Sequence, residues 1–212
     1  MKMIKWLIVA SFLVCYGHTV VAIDADEVIK RAKKKYEEST SLAAAFTQQF
    51  KWKLAGESQE IQGKIWLKDG DKFKIETADQ TIVSDGKTIW TYSRANNQVI
   101  IDNLKNNADN MLPNDIFVKY AEDYRPSQLS EETVLGNDCY AILLLPKTQN
   151  AFIREMKVWV DKKDWITRKI QHTDINENMT SYTLSEIEID PALPDNLFRF
   201  PKQQGVQEID MR

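Results

Sequence analysis

The feature that most narrows the folds open to this chain is a hydrophobic period of two, repeated in short segments from Ala44 almost to the C-terminus. In the first segment Phe46, Phe50, Trp52 and Leu54 fall on one side and Thr47, Gln49, Lys51 and Lys53 on the other. Alternate residues of a strand point to opposite faces, so this pattern predicts a half-buried strand. Ile61, Gly63, Ile65 and Leu67 repeat it, Asp69-Gly70 supplies a turn, and Phe73 and Ile75 begin a third strand. Asp85-Gly86 then joins Thr81-Ile82-Val83 to Thr88-Ile89-Trp90-Thr91-Tyr92, the dipeptide expected of a tight hairpin. After Asn96-Asn97 comes Val99-Ile100-Ile101, and further strands are predicted over residues 128–135, 139–145, 153–161, 166–172 and 179–188. The whole reads as an antiparallel meander of about eleven strands.

Two helical segments interrupt the pattern. Asp24 and Glu27 form a plausible capping pair, and Ala25, Val28, Ile29, Ala32 and Tyr36 recur at helical spacing. The opposite face of that helix carries Lys30, Arg31, Lys33, Lys34 and Lys35; it reads as a solvated face, with docking to an acidic partner or anionic lipid as the alternative. Leu112 and Pro113 open a second helix over residues 114–124, with Ile116, Phe117, Tyr120 and Tyr124 near one stripe. No repeat or Pro/Gly-rich linker divides the chain. The expected architecture is therefore one domain, mainly β with α: an antiparallel sheet with helices against one face.

The first 22 residues stand apart. A basic start (Lys2, Lys5), an apolar run from Trp6 to Cys15 and small residues at Val20 and Ala22 have the layout of a secretory signal peptide, cut after Ala22, which predicts an exported protein of residues 23–212. The apolar run is short for a spanning helix, and Val14 before Cys15 does not suit a lipidation signal. The chain has 28 Lys and Arg against 31 Asp and Glu, and loss of the leader removes only bases. A nucleic-acid binder that works through counterion release from a basic face is thereby disfavoured.

Removal of the leader also leaves Cys139 and His172 as the only thiol and the only imidazole. An internal disulfide is then impossible, a His-rich metal cluster has no material, and a Cys–His catalytic pair would have to use these two residues. Cys139 lies in an apolar run and reads as packing. Paired acids such as Glu131-Glu132 or Glu186 with Glu188 match a glycosidase only by chance spacing, and no phosphate-cradling glycine motif occurs. No enzymatic activity and no cofactor are expected. What stands out is the aromatic load of 6 Trp, 7 Tyr and 8 Phe, much of it at alternating strand positions. A sheet face lined by Phe46, Phe50, Trp52, Ile65, Phe73, Ile75, Trp90, Tyr92, Met156 and Val158 could hold a long apolar ligand under the helices.

Ala45-Phe46-Thr47-Gln48, Gly63-Lys64-Ile65-Trp66-Leu67-Lys68, the hairpin Ile82-Val83-Ser84-Asp85-Gly86-Lys87-Thr88-Ile89-Trp90-Thr91-Tyr92 with Gln98-Val99, and Phe198-Arg199-Phe200-Pro201 with Gly205-Val206 together resemble the periplasmic outer-membrane lipoprotein carrier family, LolA-like in order and spacing. The resemblance implies an incomplete β-barrel of eleven antiparallel strands whose hydrophobic concave face is covered by a helical lid. It implies a ligand, the acylated N-terminal cysteine of lipoproteins, and two partners, an inner-membrane ABC transporter complex that loads it and an outer-membrane receptor that unloads it. The carrier itself would be a periplasmic monomer. By position, Phe46, Phe73, Ile75 and Trp90 correspond to cavity residues, and Leu112, Ile116, Phe117 and Tyr120 to the lid. In place of an Arg-Pro pair that latches the family's lid, this chain reads Lys68-Asp69-Gly70-Asp71. Arg154 and Arg168 share parity with Met156 and Ile170 and are candidates for a replacement bond. The alternative reading is a lipid- or lipoprotein-sensing regulator or receptor on the same sheet.

Overall fold

A computed structural model describes residues 23–69, 71–107 and 123–212 of the chain. The signal segment over residues 1–22 and the four expected lid residues Leu112, Ile116, Phe117 and Tyr120 lie outside the described residues. Helix α1 (Ala25–Glu37) is followed by β1 (Ser41–Lys51), β2 (Ser58–Lys68), β3 (Lys72–Thr77), β4 (Gln80–Asp85), β5 (Thr88–Ser93) and β6 (Gln98–Asn103). After a 3₁₀ turn at Leu104–Asn107 come β7 (Tyr124–Val134), β8 (Asn137–Pro146), β9 (Ile153–Asp161), β10 (Thr167–Asp174) and β11 (Met179–Ile189). A second 3₁₀ turn, Asp195–Phe198, precedes β12 (Gln207–Asp210).

The twelve strands of the described residues form one open sheet in the order β12-β6-β5-β4-β3-β2-β1-β11-β10-β9-β8-β7. β1 therefore lies inside the sheet, with β2 on one side and β11 on the other, and each wing is a run of sequence-adjacent hairpins. The twelfth strand adds to the expected eleven. It is four exposed residues paired in parallel with β6, too short to show any alternation. Tyr124 begins β7 rather than ending a helix. At this edge, Pro126 and a register shift between Pro126 and Gln128 interrupt the ladder, features that discourage pairing with another chain.

The α1 start follows the expected chemistry: Asp24 Oδ1 accepts from the Glu27 N–H at 2.7 Å. Glu27 does not return the bond but pairs with Arg31 at 2.7 Å, and Lys33 and Lys34 pair with Glu37 and Glu38 at 3.8 and 3.5 Å along the solvated side. The buried Val28 and Ala32 face the sheet, and Arg31 also lies over the Trp165 ring at 4.7 Å, fixing the helix against the β9–β10 turn.

Directly opposed residues of an antiparallel pair project to one face. Register therefore assigns each side chain to one of two faces. The α1 side, the helix face, gathers Leu42, Ala44 and Phe46 of β1, Ile65 and Leu67 of β2, Phe73 of β3, Ile142 and Leu144 of β8, Met156 and Val158 of β9, Ile170 of β10 and Leu184 of β11 into one buried cluster. The reverse face has its own cover. Val83, Trp90 and Ile101 are opposed there, as are Thr81, Tyr92 and Val99. The 3₁₀ turn carrying the fully buried Phe198 packs on β3 and β4, and the Phe200 ring stands 5.3 Å from Tyr92.

The β7–β8 turn holds Leu135 and Gly136 at φ of 49° and 80°, the left-handed pair of a type I′ turn, and Leu135 is 65% exposed. A branched residue gains nothing there and is strained. Leu135→Asn is expected to raise stability by about 0.5–1 kcal/mol, read as a higher urea midpoint with an unchanged slope.

Candidate functional site

The helix face brings together Phe46, Ile65, Phe73, Met156 and Val158 in its buried cluster, with Ile75 packed half-buried against them. The cross-strand pairs Ala44↔Ile65, Ile65↔Ile75 and Ile75↔Ile82 carry the apolar stripe from β1 to β4, and Phe46↔Leu184, Ile170↔Tyr182, Ile170↔Val158 and Ile142↔Val158 carry it from β1 to β8. Gly63 faces Phe46: a Cβ on Gly63 would stand 2.8 Å from two Phe46 ring atoms and 2.4 Å from the Glu76 carbonyl oxygen. The missing side chain is what lets the Phe46 ring lie across β2.

Phe50 continues the stripe, and its ring makes an edge contact with Trp52 at 4.3 Å. Trp52 is not a strand residue, however. The strand ends at Lys51, and the turn is closed by the Trp52 N–H donating to Glu57 O at 2.9 Å and the Gly56 N–H to Trp52 O at 3.0 Å. Trp90 and Tyr92 are corrected by register: they project to the reverse face beneath the C-terminal segment, away from Phe73 and Ile75. Sequence reasoning missed Leu42, Ile142, Leu144, Ile170 and Leu184; their parity with Phe46, Met156 and Val158 carried the signal.

The two arginines considered as a latch stand in different surroundings, and the lid they would hold lies outside the described residues. Arg168 Nε pairs with Asp161 at 2.5 Å and its Nη2 with Asp164 at 3.7 Å, because the register shift between Thr167 and Lys169 turns it toward the β9–β10 turn. Arg154 is exposed at the far end of β9. Lys68, the last residue of β2, donates to Leu193 O at 2.8 Å and to Asp195 at 2.9 Å, tying β2 to the C-terminal segment.

Cys139 and His172 lie on opposite faces. The thiol sits in a small reverse-face cluster with Val134, Ala141 and Trp159, where burial pushes its pKa up to about 11, so it stays protonated near neutrality. His172 is opposed to Met156 and Thr180 on the helix face, 6.4 Å from the Tyr182 ring, and its Nδ1 is buried without a hydrogen-bond partner among the described residues. Burial lowers its pKa, opposed by the nearby Asp174 carboxylate. The folded state thus binds the proton less well than the unfolded chain. Stability is fully present above the ordinary imidazole value of 6.5 and is lost as pH falls below it, by at most about 1.4 kcal/mol per pH unit for one proton. Urea midpoints between pH 7.5 and 5.5 should fall in the native protein and stay level in His172→Phe.

Comparison with known proteins agrees with this geometry. The family described as "Outer membrane lipoprotein carrier protein LolA" matches residues 37–201. The outer-membrane lipoprotein carrier protein of Serratia proteamaculans is 26% identical over 211 residues, covering 98% of each chain. The uncharacterized protein MJ0687 of Methanocaldococcus jannaschii is 29% identical over 209 residues, which span 96% of this chain but only 60% of that protein. Among solved structures, an uncharacterized conserved protein from Thermus thermophilus superposes with a TM-score of 0.59 at 15% identity, covering 88% of this chain and 98% of that one. MucB superposes with a TM-score of 0.53 at 14% identity, over 85% of this chain and 64% of MucB, and so shares the fold. With a family match across most of its length and an open sheet whose apolar face lies under a helix, the chain belongs to the LolA family of outer membrane lipoprotein carrier proteins.

Proposed function

We propose that this chain binds the acyl chains of lipoproteins on the helix face of its sheet and carries them through the periplasm from the inner to the outer membrane. It would be loaded by an inner-membrane ABC transporter complex and relieved by an outer-membrane receptor, acting as a monomer and without covalent chemistry. The observation that carries this reading is the uninterrupted apolar stripe from Ile82 through Phe46 to Ile142, on a chain that belongs to a carrier family. Phe46, Phe50, Ile65, Phe73, Ile75, Met156 and Val158 are the described contact residues, with Leu112, Ile116, Phe117 and Tyr120 proposed as the lid.

Energetics explain why a carrier is needed. Each buried methylene is worth about 0.8 kcal/mol, so a 16-carbon chain represents roughly 12 kcal/mol that forbids free transit through water. Release then requires that the occupied state be only slightly preferred. This follows if the ligand replaces packing between the cover and the sheet rather than filling a standing void.

The test compares two faces. Ile75→Glu places a carboxylate, costing several kcal/mol to desolvate, at a half-buried position of the helix face and should abolish co-purification of acylated cargo. Trp90→Ala, on the reverse face, should retain it. Mass spectrometry of the bound lipid reads both; equal loading of the two variants would sink the assignment.

A further inference from the structure

We infer that the end of the sheet formed by the β1–β2, β8–β9 and β10–β11 turns is a rim that seats in the interfacial layer of an anionic phospholipid bilayer. The rim goes beyond the carrier reading and does not depend on it.

Register puts the three turns at one end: Lys51 opposes Ser58 on one side and Met179 on the other, and Asp174 opposes Ile153. Hydrogen bonds join them into one surface. The Ile175 N–H donates to Phe152 O at 2.9 Å, the Lys53 N–H donates to Asn178 Oδ1 at 3.2 Å, and Lys53 Nζ pairs with Glu177 at 3.4 Å. Each turn then presents large apolar side chains to solvent: Leu54 is 97% exposed, Phe152 60%, Ile175 46% and Trp52 37%. A single exposed apolar residue is ordinary, but four of the eight exposed large hydrophobics among the described residues gathered on three adjoining turns are not. Two clefts open on this end, one of about 760 Å³ bordered by Trp52 and one of about 650 Å³ bordered by Ile175, and Arg154 borders both. Protruding side chains with clefts beside them suit a fluid layer that fills around them better than a flat protein surface, and Trp prefers the bilayer interface.

Charge favours anionic lipid. Lys51, Lys53, Arg125, Lys147 and Arg154 border the clefts and are exposed. Among the described residues the exposed acids there are Glu57, Glu155 and Glu177, with Asp123 exposed where its carbonyl accepts from the Lys147 N–H at 2.9 Å, while Asp174 is buried in its own turn, accepting from the N–H groups of Asn176 and Asn178 at 2.8 and 2.9 Å. The exposed balance among these described residues is positive on a chain whose net charge is −3. Basic side chains with long stems can keep their heads among phosphates while the tips insert.

The experiment is flotation of the whole protein with vesicles of phosphatidylcholine mixed with phosphatidylglycerol, and of phosphatidylcholine alone. Flotation with the mixed vesicles is expected, and weaker flotation with the neutral ones. Leu54→Ser combined with Phe152→Ser changes two side chains that are mostly in water already, so it should fold with an unchanged urea midpoint yet lower partitioning at least about tenfold. Lys51→Gln with Arg154→Gln should reduce flotation with the mixed vesicles only. Absence of flotation, or flotation unaltered by the Leu54 and Phe152 changes, overturns the rim. So does a dimer in sedimentation equilibrium that those changes disperse without any vesicle binding, which would assign the surface to a second copy. Uptake of a fluorescent fatty-acyl probe in vesicle-free solution separates the two proposals: uptake without flotation removes the rim alone, and flotation without uptake removes the carrier reading alone.

Discussion

Gly63→Ala is expected to cost about 3 kcal/mol, at the upper end of what overpacking by one methyl produces. The new Cβ would meet the Glu76 carbonyl oxygen at 2.4 Å and the Phe46 ring at 2.8 Å. The ring can turn, but the carbonyl cannot retreat easily, because it belongs to β3, which is paired with β2 on one side and β4 on the other. Shortening Phe46 to Leu in the same chain should therefore recover only part of the loss. A double-mutant cycle of urea midpoints measures that coupling. A loss below about 1 kcal/mol would mean that β3 moves freely away from β2.

Phe198→Ala should cost about 4 kcal/mol, the range for truncating a fully buried aromatic. Phe198 is 0% exposed, and its turn covers β3 and β4 on the side away from α1. Amide exchange in β4 and β5 should accelerate in this variant, while packing among Ile142, Met156 and Ile170 is retained. An exchange increase confined to β8–β10 would contradict the placement of the C-terminal segment. The variant also tests the independence of the two sides: the acyl loading proposed for the helix face should persist at temperatures where the protein remains folded.

Phe198 also explains where sequence reading succeeded and where it failed. Period-two patterns located every strand from β1 to β11, because one face of most of them is dry and turns between them carry Asp69-Gly70, Asp85-Gly86 or Asn96-Asn97. Parity gives two sets of residues per strand but does not name the inward one. Where a single face is apolar the choice is forced, as for Phe46 or Ile65. In β4 and β5 both faces are apolar, because the segment from Pro191 onward covers the second, and Trp90 and Tyr92 could not be assigned by aromatic character alone. Only the chain of pairings from Ile75 to Ile82 to Thr91 decides it. Trp52 and Leu54 were misplaced for a different reason: the alternation runs on past Lys51, but Gly56 and the Trp52–Glu57 backbone bond bend the chain into a turn. β12 gave no signal because four exposed residues have no buried partner to demand a pattern.

The internal position of β1 bears on when the protein can assemble. The wing from β2 to β6 and the wing from β7 to β11 consist of neighbours in sequence, so each closes short loops and can zip as its residues become available. The seam between the wings joins Leu42 to Ile189, a separation that spans most of the described residues. Contacts of that separation form slowly, and until Ile189 is in reach the strand edge of β1 stays unpaired. During that interval the nascent chain offers an open template to other strands, so helper proteins that shield extended polypeptide should matter more for its yield than for proteins whose outermost strands are the first and last made.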